Sequence, residues 1–287
     1  MAKPPTNMAA SVRQRLLNLA RDEGRVFDVV LVAFGLERLI YRLSVSQYQD
    51  QFVLKGGMLV TLWTTDPGRF TRDVDFLGHG KDDEQTLIDA FADILSIDAN
   101  DGLVFDTAEI TASEIREDQV YGGKRLKTTA HLGKTKIPIT VDLGFGDALS
   151  DPAYEIEYAS LLDFEPATIR AYSPATVMAE KFQAVVALGA ANSRMKDFYD
   201  LWAIPEAADV EIDDLAMAVQ RTFERRATRV PERRPDGLSD DFTTSALKMD
   251  QWAAYSEATD LEGVTLKDVA DDIWLLMEPA CEKAQKL

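Results

Sequence analysis

Apolar residues recur at helical spacing over residues 11–43, and again over most of the chain after residue 172. The first stretch is interrupted by Gly24 and predicts two consecutive helices. Between these stretches, apolar and polar residues alternate in shorter runs, which is typical of strands. This region predicts strands near residues 104–105, 109–116, 124–131 and 137–143, preceded by a helix over about residues 83–97. The first half of the chain therefore predicts a mixed sheet flanked by helices.

A sharp break follows the first apolar run after the opening helices. Residues 51–54 favour either a short strand or the start of a buried helix. Lys55, Gly56 and Gly57 then interrupt the pattern, because consecutive glycines favour a turn. Residues 58–63 are apolar enough to predict a buried helix. We therefore expect a tight turn that lies against the protein core.

The next apolar run places two acidic residues on one face of a strand. Residues 73–77 alternate polar with apolar side chains, so that Asp73 and Asp75 point the same way and Val74 points the opposite way. Asp142 lies at the end of the apolar strand predicted at residues 137–143. The sequence therefore offers a carboxylate pair and a third acid on a separate strand.

The second half of the chain is predicted to be helical. Pro174 occupies a plausible first helical turn, whereas Pro205 and the loop at residues 231–240 are expected to interrupt the helices. The predicted helices are residues 174–190, 196–203, 211–226, 242–257 and 266–283. The predicted division is a mixed α+β domain, residues 1–165, and a C-terminal helical domain, residues 166–287.

The net charge limits the classes of partner. The 287 residues include 31 basic and 49 acidic side chains, which give a formal charge of −18. This excess disfavours broad, sequence-independent binding of nucleic acid, so that any RNA contact must be local. Positive charge is concentrated in residues 122–136 and 221–234. Each segment is either a local polyanion contact or simply a solvated face.

Cysteine and histidine content excludes several kinds of site. Cys281 is the single cysteine, so the chain has neither an internal disulfide nor a zinc site built from thiolates. The two histidines, His79 and His131, are too few for a histidine-rich metal site. The sequence contains no apolar run of membrane-spanning length and no pattern of a signal peptide, so we expect a cytoplasmic protein without a membrane partner.

The glycine turn and the three acids suggest phosphoryl-transfer chemistry. Such transfer depends on positioning and charge neutralisation more than on covalent catalysis. Backbone N–H groups of Gly56 and Gly57 can approach a triphosphate, and Asp73 with Asp75 can hold Mg²⁺, which prefers hard oxygen ligands. Asp142 could supply a third carboxylate, or accept the proton of an acceptor hydroxyl. Taken singly, a Gly-Gly turn or an Asp-x-Asp strand is more often structural than functional.

Four motifs, in the same order along the chain, resemble the AbiEii/AbiGii nucleotidyltransferase toxins, a family that includes the MenT toxins. The motifs are FVLKGG at residues 52–57, RFTRDVDFL at 69–77, VDLGFGD at 141–147, and the helical pair MAEKFQA at 178–184 with RMKDFYDL at 194–201. They span about residues 50–202, and four ordered motifs are far more specific than any one of them.

The resemblance implies a fold and an activity. The fold is a DNA-polymerase-beta-like nucleotidyltransferase lobe joined to a helical lobe. The implied activity is that of a bacterial toxin, from a toxin–antitoxin or phage-defence pair, that transfers a nucleoside monophosphate from an NTP to the acceptor end of tRNA and blocks translation. An antitoxin encoded nearby is the implied protein partner, and Mg²⁺ the implied cofactor.

The resemblance also assigns roles to residues by motif. Lys181 would contact the NTP phosphates, and either Asp197 or Asp200 would organise the site from the helical lobe, with Asp200 the better match. Lys55, Gly56, Gly57, Thr71, Arg194 and Asp197 would take part in binding the nucleotide, Asp73, Asp75 and Asp142 would hold the metal, and Lys181 and Asp200 would join these acids in catalysis.

Three alternatives remain open at this point. Lys181 could instead form an ion pair with Glu180 or lie at the edge of the core, and Asp197 could be only an acid at a helix start. Met58 stands where relatives often carry a serine or threonine hydroxyl, so the chain could be a catalytically inactive binding module. The acidic charge also permits an enzyme whose acceptor is a protein hydroxyl or a small molecule.

Overall fold

The computed structural model describes residues 7–64, 66, 68–115, 123–147, 154–259, 261 and 263–287. These residues form two compact units. The first unit comprises the described parts of Met1–Leu62, Phe70–Gly146 and Ala153–Ala171, and the second those of Trp63–Arg69, Asp147–Pro152 and Tyr172–Leu287. Arg116 and Gly122, which border a predicted strand and a predicted basic segment, lie outside the described residues.

The first unit begins with the two predicted helices, α1 (Met8–Asp22) and α2 (Phe27–Ser44). Buried ion pairs fix α2, because Arg38 Nε and Arg42 Nη1 both bond to Asp101 Oδ2, at 3.0 and 2.7 Å. All three side chains are buried, and a buried acid requires such partners.

The glycine turn lies between a strand and a helix. The elements here are β1 (Phe52–Lys55), α3 (Gly57–Thr64), β2 (Val74–Gly78) and α4 (Glu84–Leu95). The segment that favoured either a strand or a helix is thus a strand, and the helices predicted at residues 58–63 and 83–97 are confirmed.

One mixed sheet forms the centre of the first unit. Its remaining strands are β3 (Leu103–Phe105), β4 (Thr111–Ile115), β5 (Gly123–Leu132) and β6 (Thr135–Phe145). The strand order is β1-β2-β6-β5-β3, with β4 also paired to β5. β2 and β6 are parallel, whereas the other pairs are antiparallel. The predicted α+β class with a mixed sheet is confirmed.

Helix α2 covers one face of this sheet. A Cβ atom on Gly35 would lie 2.9 Å from Ile139 Cδ1, so the helix backbone approaches β6 closely. Ile137, Ile139 and Val141 are buried on this face. Because side chains alternate along a strand, Asp142 points to the opposite face.

A small second sheet was not predicted. It consists of β7 (Glu155–Tyr158) and β8 (Ala167–Arg170), paired antiparallel. Each strand has four residues, which is too short for alternation to distinguish a strand from a loop. Its strands pair across one short connecting segment, with Tyr158 opposite Ala167.

The second unit is helical, as predicted. Its helices are α5 (Pro174–Leu188), α6 (Met195–Ala207), α7 (Ile212–Arg225), α8 (Asp240–Thr243), α9 (Ala246–Ala258) and α10 (Leu266–Ala284). The predicted break at Pro205 is wrong, because this proline lies inside the last turn of α6, where the loss of one hydrogen bond disturbs little. The single helix predicted at residues 242–257 is divided, because Ser245 caps a new helix. Within the described ranges, no helix is long and apolar enough to cross a membrane.

Candidate active site

Four charged residues form one row across the main sheet. Lys55 faces Asp75 between β1 and β2, Asp75 faces Asp142 between β2 and β6, and Asp142 faces Arg125 between β6 and β5. Directly opposed residues on neighbouring strands share a face of the sheet. This acid row, Lys55-Asp75-Asp142-Arg125, therefore brings together two acids predicted from separate strands and flanks them with two bases.

Asp73 lies immediately before β2, and its charge acts on Asp75. Thr71 is buried, and its hydroxyl donates a hydrogen bond of 2.6 Å to Asp73 Oδ1. In the structure the Thr71 hydroxyl therefore orients an acid. A contact of Thr71 with the nucleotide stays a prediction.

The glycine turn lies directly against Asp75. Gly56 has a φ of +71°, which side-chain-bearing residues rarely adopt, and a Cβ atom there would overlap the Asp75 carboxylate. The N–H of Gly57, the first residue of α3, donates a hydrogen bond to that carboxylate. Asp75 thus occupies the Gly57 N–H, one of the two N–H groups at which a phosphate was predicted to bind.

Asp75 carries an unusually high pKa. Burial, with smaller contributions from the charges of Asp73 and Asp142, raises the pKa of its carboxyl to about 6. Lys55 and the Gly57 N–H act in the opposite direction but do not cancel the increase. The charged form of Asp75 is therefore disfavoured by burial and by two nearby acids, as is common at functional sites.

Arg125 holds Asp142 in a two-point contact. Its Nε and Nη2 atoms lie 2.7 and 2.6 Å from Asp142 Oδ1 and Oδ2. The sequence placed Arg125 only within a basic segment, so its pairing was missed. The β5–β6 turn at Gly133 and Lys134 contains two residues, and counting outward from it would have placed Arg125 opposite Asp142.

The donor set fits a hard divalent cation. Asp73, Asp75 and Asp142 provide carboxylate oxygens, the ligands that Mg²⁺ prefers, and the raised pKa of Asp75 indicates that a positive charge would be stabilised there. Across the described ranges, no three acidic, histidine or cysteine side chains are already arranged as a metal cluster. Asp142 is turned to Arg125 and Asp75 to the glycine turn.

The second unit contains a separate group of charges. Lys181 Nζ lies 2.9 Å from Asp197 Oδ1 and 2.6 Å from Asp200 Oδ2, and Arg69 holds both oxygens of Asp200 at 2.5 and 2.7 Å. Arg194 Nε lies 2.7 Å from Asp197 Oδ2. We call these five residues the buried ion network. The ion pair of Lys181 thus involves two acids of α6, not Glu180, which pairs with Arg226.

Neighbouring charges set the protonation of this network. Burial alone would raise the pKa of Asp200, but Lys181 and Arg69 lower it overall. Burial alone would likewise lower the pKa of Lys181, but Asp197 and Asp200 raise it overall. Lys181 and Asp200 therefore stay ionised as partners.

Both acids left open by the sequence belong to the network, but their environments differ. Asp200 is fully buried between Arg69 and Lys181, whereas Asp197 also reaches Arg194, whose side chain is 48% exposed. Arg69 was quoted within a motif, yet its role was missed, because a partner 131 positions away leaves no local signal.

The Met58 side chain is 3% exposed and belongs to the core, so the position after the two glycines serves packing in this chain.

The two basic segments differ in how their side chains are paired. In the first basic segment Lys127, Lys134 and Lys136 are exposed. In the second, Arg226 bonds to Glu180 and Gln183 and Arg234 to Asp271, while Arg221, Arg225, Arg229 and Arg233 are exposed.

A cavity of about 310 Å³ lies elsewhere in the first unit. Its lining includes Tyr48, His79 and Lys81, at the end of the β1–β2 pair formed by Phe52 and Gly78. The acid row crosses this strand pair at its other end, so the cavity is not part of the candidate active site.

Comparison with known proteins gives a family and two structural neighbours. The family model for the nucleotidyl transferase AbiEii toxin of type IV toxin–antitoxin systems matches residues 38–272. A candidate nucleotidyltransferase from H. pylori, known from its crystal structure, is 16% identical with a TM-score of 0.48, and the match covers 89% of this chain and 96% of that one. JHP933 from Helicobacter pylori is 15% identical with a TM-score of 0.46, over 88% of this chain and 91% of that one. No curated protein sequence matches the chain.

Proposed function

The chain belongs to the AbiEii nucleotidyl transferase toxin family, and we propose that it transfers a nucleoside monophosphate from an NTP to the acceptor end of tRNA, with pyrophosphate as the leaving group. The transfer would depend on Mg²⁺ and would block translation. Membership of a type IV toxin–antitoxin family implies an antitoxin partner. The observation that carries the proposal is the register of Asp75 with Asp142, next to a glycine turn whose Gly57 N–H is directed at Asp75.

Asp73, Asp75 and Asp142 would hold the divalent cation. When bound, the cation supplies positive charge to the phosphate oxygens of the NTP. Asp75 would then release the Gly57 N–H, which becomes available to a phosphate oxygen at the start of α3. Gly56 permits this change because it carries no side chain between the turn and the carboxylate.

An acceptor hydroxyl must lose its proton during the transfer. Asp142 is the acid proposed to accept this proton, provided that Arg125 releases at least one of its oxygens. Lys181 as a contact of the NTP phosphates stays a prediction. Such a contact would require its ammonium to leave Asp197 or Asp200.

Exposed lysines on the sheet support an anionic acceptor. Lys127 of β5 and Lys136 of β6 point to the same face as Asp142, because each is an even number of residues from the acid row on its strand. Both are exposed, and each phosphate that they neutralise would add to the salt dependence of binding. The net charge of −18 confines such contacts to this local surface.

Labelled nucleotides test the proposal. Total tRNA, Mg²⁺ and each of the four NTPs labelled on the α-phosphate should give labelled tRNA, whereas γ-labelled NTPs should not. Asp75→Asn should remove the label, while the exposed residue Asp82 provides a matched control, Asp82→Asn, that should keep it. Salt should weaken the labelling.

The distribution of the label separates the alternatives. Label on a protein or on a low-mass product would replace tRNA with a protein hydroxyl or a small molecule as acceptor. No label in any fraction with all four NTPs would contradict nucleotidyl transfer and leave a binding module.

A further inference from the structure

The contact between Arg125 and Asp142 combines two features. The guanidinium engages both carboxylate oxygens, at 2.7 and 2.6 Å, which is the strong two-point geometry of arginine and carboxylate. The pair is also accessible, since the side chains of Arg125 and Asp142 are 35% and 15% exposed. A strong pair at an accessible position can exchange partners.

Asp142 is directly opposite Asp75 and supplies the negative charge of the acid row on the β6 side. A divalent cation shared by these acids needs at least one Asp142 oxygen. Both oxygens now accept N–H donors from Arg125, so a cation at Asp142 would lie beside the guanidinium, and the two positive charges compete for this carboxylate.

We propose that Arg125 is a displaceable counter-ion: it holds Asp142 while the divalent cation is absent, yields it when the cation binds, and then pairs with a phosphate of the NTP. This inference rests on the proposed function. Arg125 would thereby weaken binding of the cation alone and strengthen binding of the NTP. The binding of the two ligands would then be coupled.

A purely structural pair is the competing explanation. Partly exposed ion pairs contribute little to folding stability, so stability alone does not explain this pair. An arginine fork also matches phosphate as well as carboxylate. Lys81 is exposed and lies outside the acid row, and therefore serves as a control for the general effect of positive charge.

Two binding measurements test the role of Arg125. Free Mn²⁺ measured by electron paramagnetic resonance, without nucleotide, should show about tenfold tighter binding to Arg125→Gln than to the wild type, as expected when the competing guanidinium is removed. Equilibrium dialysis of the four radiolabelled α,β-methylene NTPs at saturating Mn²⁺ should show about tenfold weaker nucleotide binding. Lys81→Gln should change both constants less than twofold.

The opposite signs of the two effects are diagnostic, because loss of a merely structural contact would not tighten metal binding. Arg125→Lys keeps the charge without the fork and should fall between wild type and Arg125→Gln. If Arg125→Gln fails to fold by circular dichroism, Arg125→Lys must still bind Mn²⁺ more tightly than the wild type.

Equal Mn²⁺ affinity of Arg125→Gln and Lys81→Gln would overturn the inference. The proposed function would still stand if Asp75→Asn lost Mn²⁺ binding. Absence of Mn²⁺ binding by the wild type, with and without nucleotide, would instead overturn the proposed metal site, and the inference with it.

Discussion

The acid row of the first unit and the buried ion network of the second both combine two acids with bases, but their charges are balanced differently. In the network, Asp200 accepts from Arg69 and Lys181, and these two bases lower its pKa. In the acid row, Asp75 faces a second acid across β2 and β6, and its pKa is raised to about 6. The charged form of Asp200 is thus favoured by its neighbours, whereas the charged form of Asp75 is disfavoured by its burial and by the acids near it.

The difference is consistent with a structural role for the network and with the proposed ligand-binding role for the acid row. Buried charges that stabilise a fold must find partners within the protein, as in the network. An acid whose charged form is disfavoured in the folded protein, as at Asp75, is common at functional sites. We therefore interpret Asp200 as a positioning residue that holds Lys181 and Arg69, and the acid row as the ligand-binding group.

The largest expected effect is on folding. Asp200→Asn should lower the free energy of unfolding by about 3–5 kcal/mol, because Lys181 and Arg69 lose a shared buried partner. Urea denaturation would measure this loss, and the exposed Asp209→Asn should change the value by less than about 0.5 kcal/mol. The pKa of Asp200 is lowered, so its contribution exists above pH 3.8 and disappears as the pH falls through the lowered pKa. An equally stable Asp200→Asn variant would contradict the structural role.

The next effect concerns the glycine turn. Gly24 and Gly56 have similar φ values, +66° and +71°, but only at Gly56 would a Cβ overlap a side chain. Gly24→Ala should cost about 1–2 kcal/mol of unfolding free energy for the left-handed backbone alone. Gly56→Ala should cost at least ~1 kcal/mol more, because the Asp75 carboxylate must move. Equal losses in urea denaturation would show that Asp75 does not lie against the turn.

Asp75→Asn should have the opposite sign to Asp200→Asn. The folded protein raises the pKa of Asp75 from 3.8 to about 6, so wild-type stability falls as the pH rises through this window and stays reduced above it. In metal-free buffer at pH 8, Asp75→Asn should be more stable by on the order of 2 kcal/mol. The two proteins should be equally stable below about pH 3.8. Denaturation at the two pH values measures this, and a destabilised variant at pH 8 would contradict the excess charge.

The sequence predicted the elements with long, regular patterns. The alternation around Val74 placed Asp73 and Asp75 together, because neighbours on one strand follow a local rule. The helical second half followed from periodicity over many residues. The strands of the small sheet were missed because four residues at Glu155–Tyr158 carry too short a pattern. The predicted helix break at Pro205 was wrong, because a proline near the end of a helix removes only one hydrogen bond.

The partners of the site residues were harder to predict. Asp142 was placed at the end of a strand, but its alignment with Asp75 depends on how β2 and β6 pair, which no local pattern encodes. The opposition of Arg125 and Asp142 was within reach, because a two-residue turn fixes the register of β5 and β6. The contact of Arg69 with Asp200 joins residues 131 positions apart and was out of reach.

The smallest expected effect concerns the orientation of Asp73 by Thr71, which can be changed without removing the charge of Asp73. Thr71→Val keeps the shape of a buried residue but removes the hydroxyl that donates a hydrogen bond of 2.6 Å to Asp73 Oδ1. Since a hydrogen bond of this kind contributes about 1 kcal/mol, nucleotide transfer should fall by roughly fivefold with only a small loss of stability. Thr71→Ser retains the hydroxyl and should retain most of the activity. If the valine and serine variants were equally active with α-labelled NTP, the position of Asp73 would not depend on Thr71.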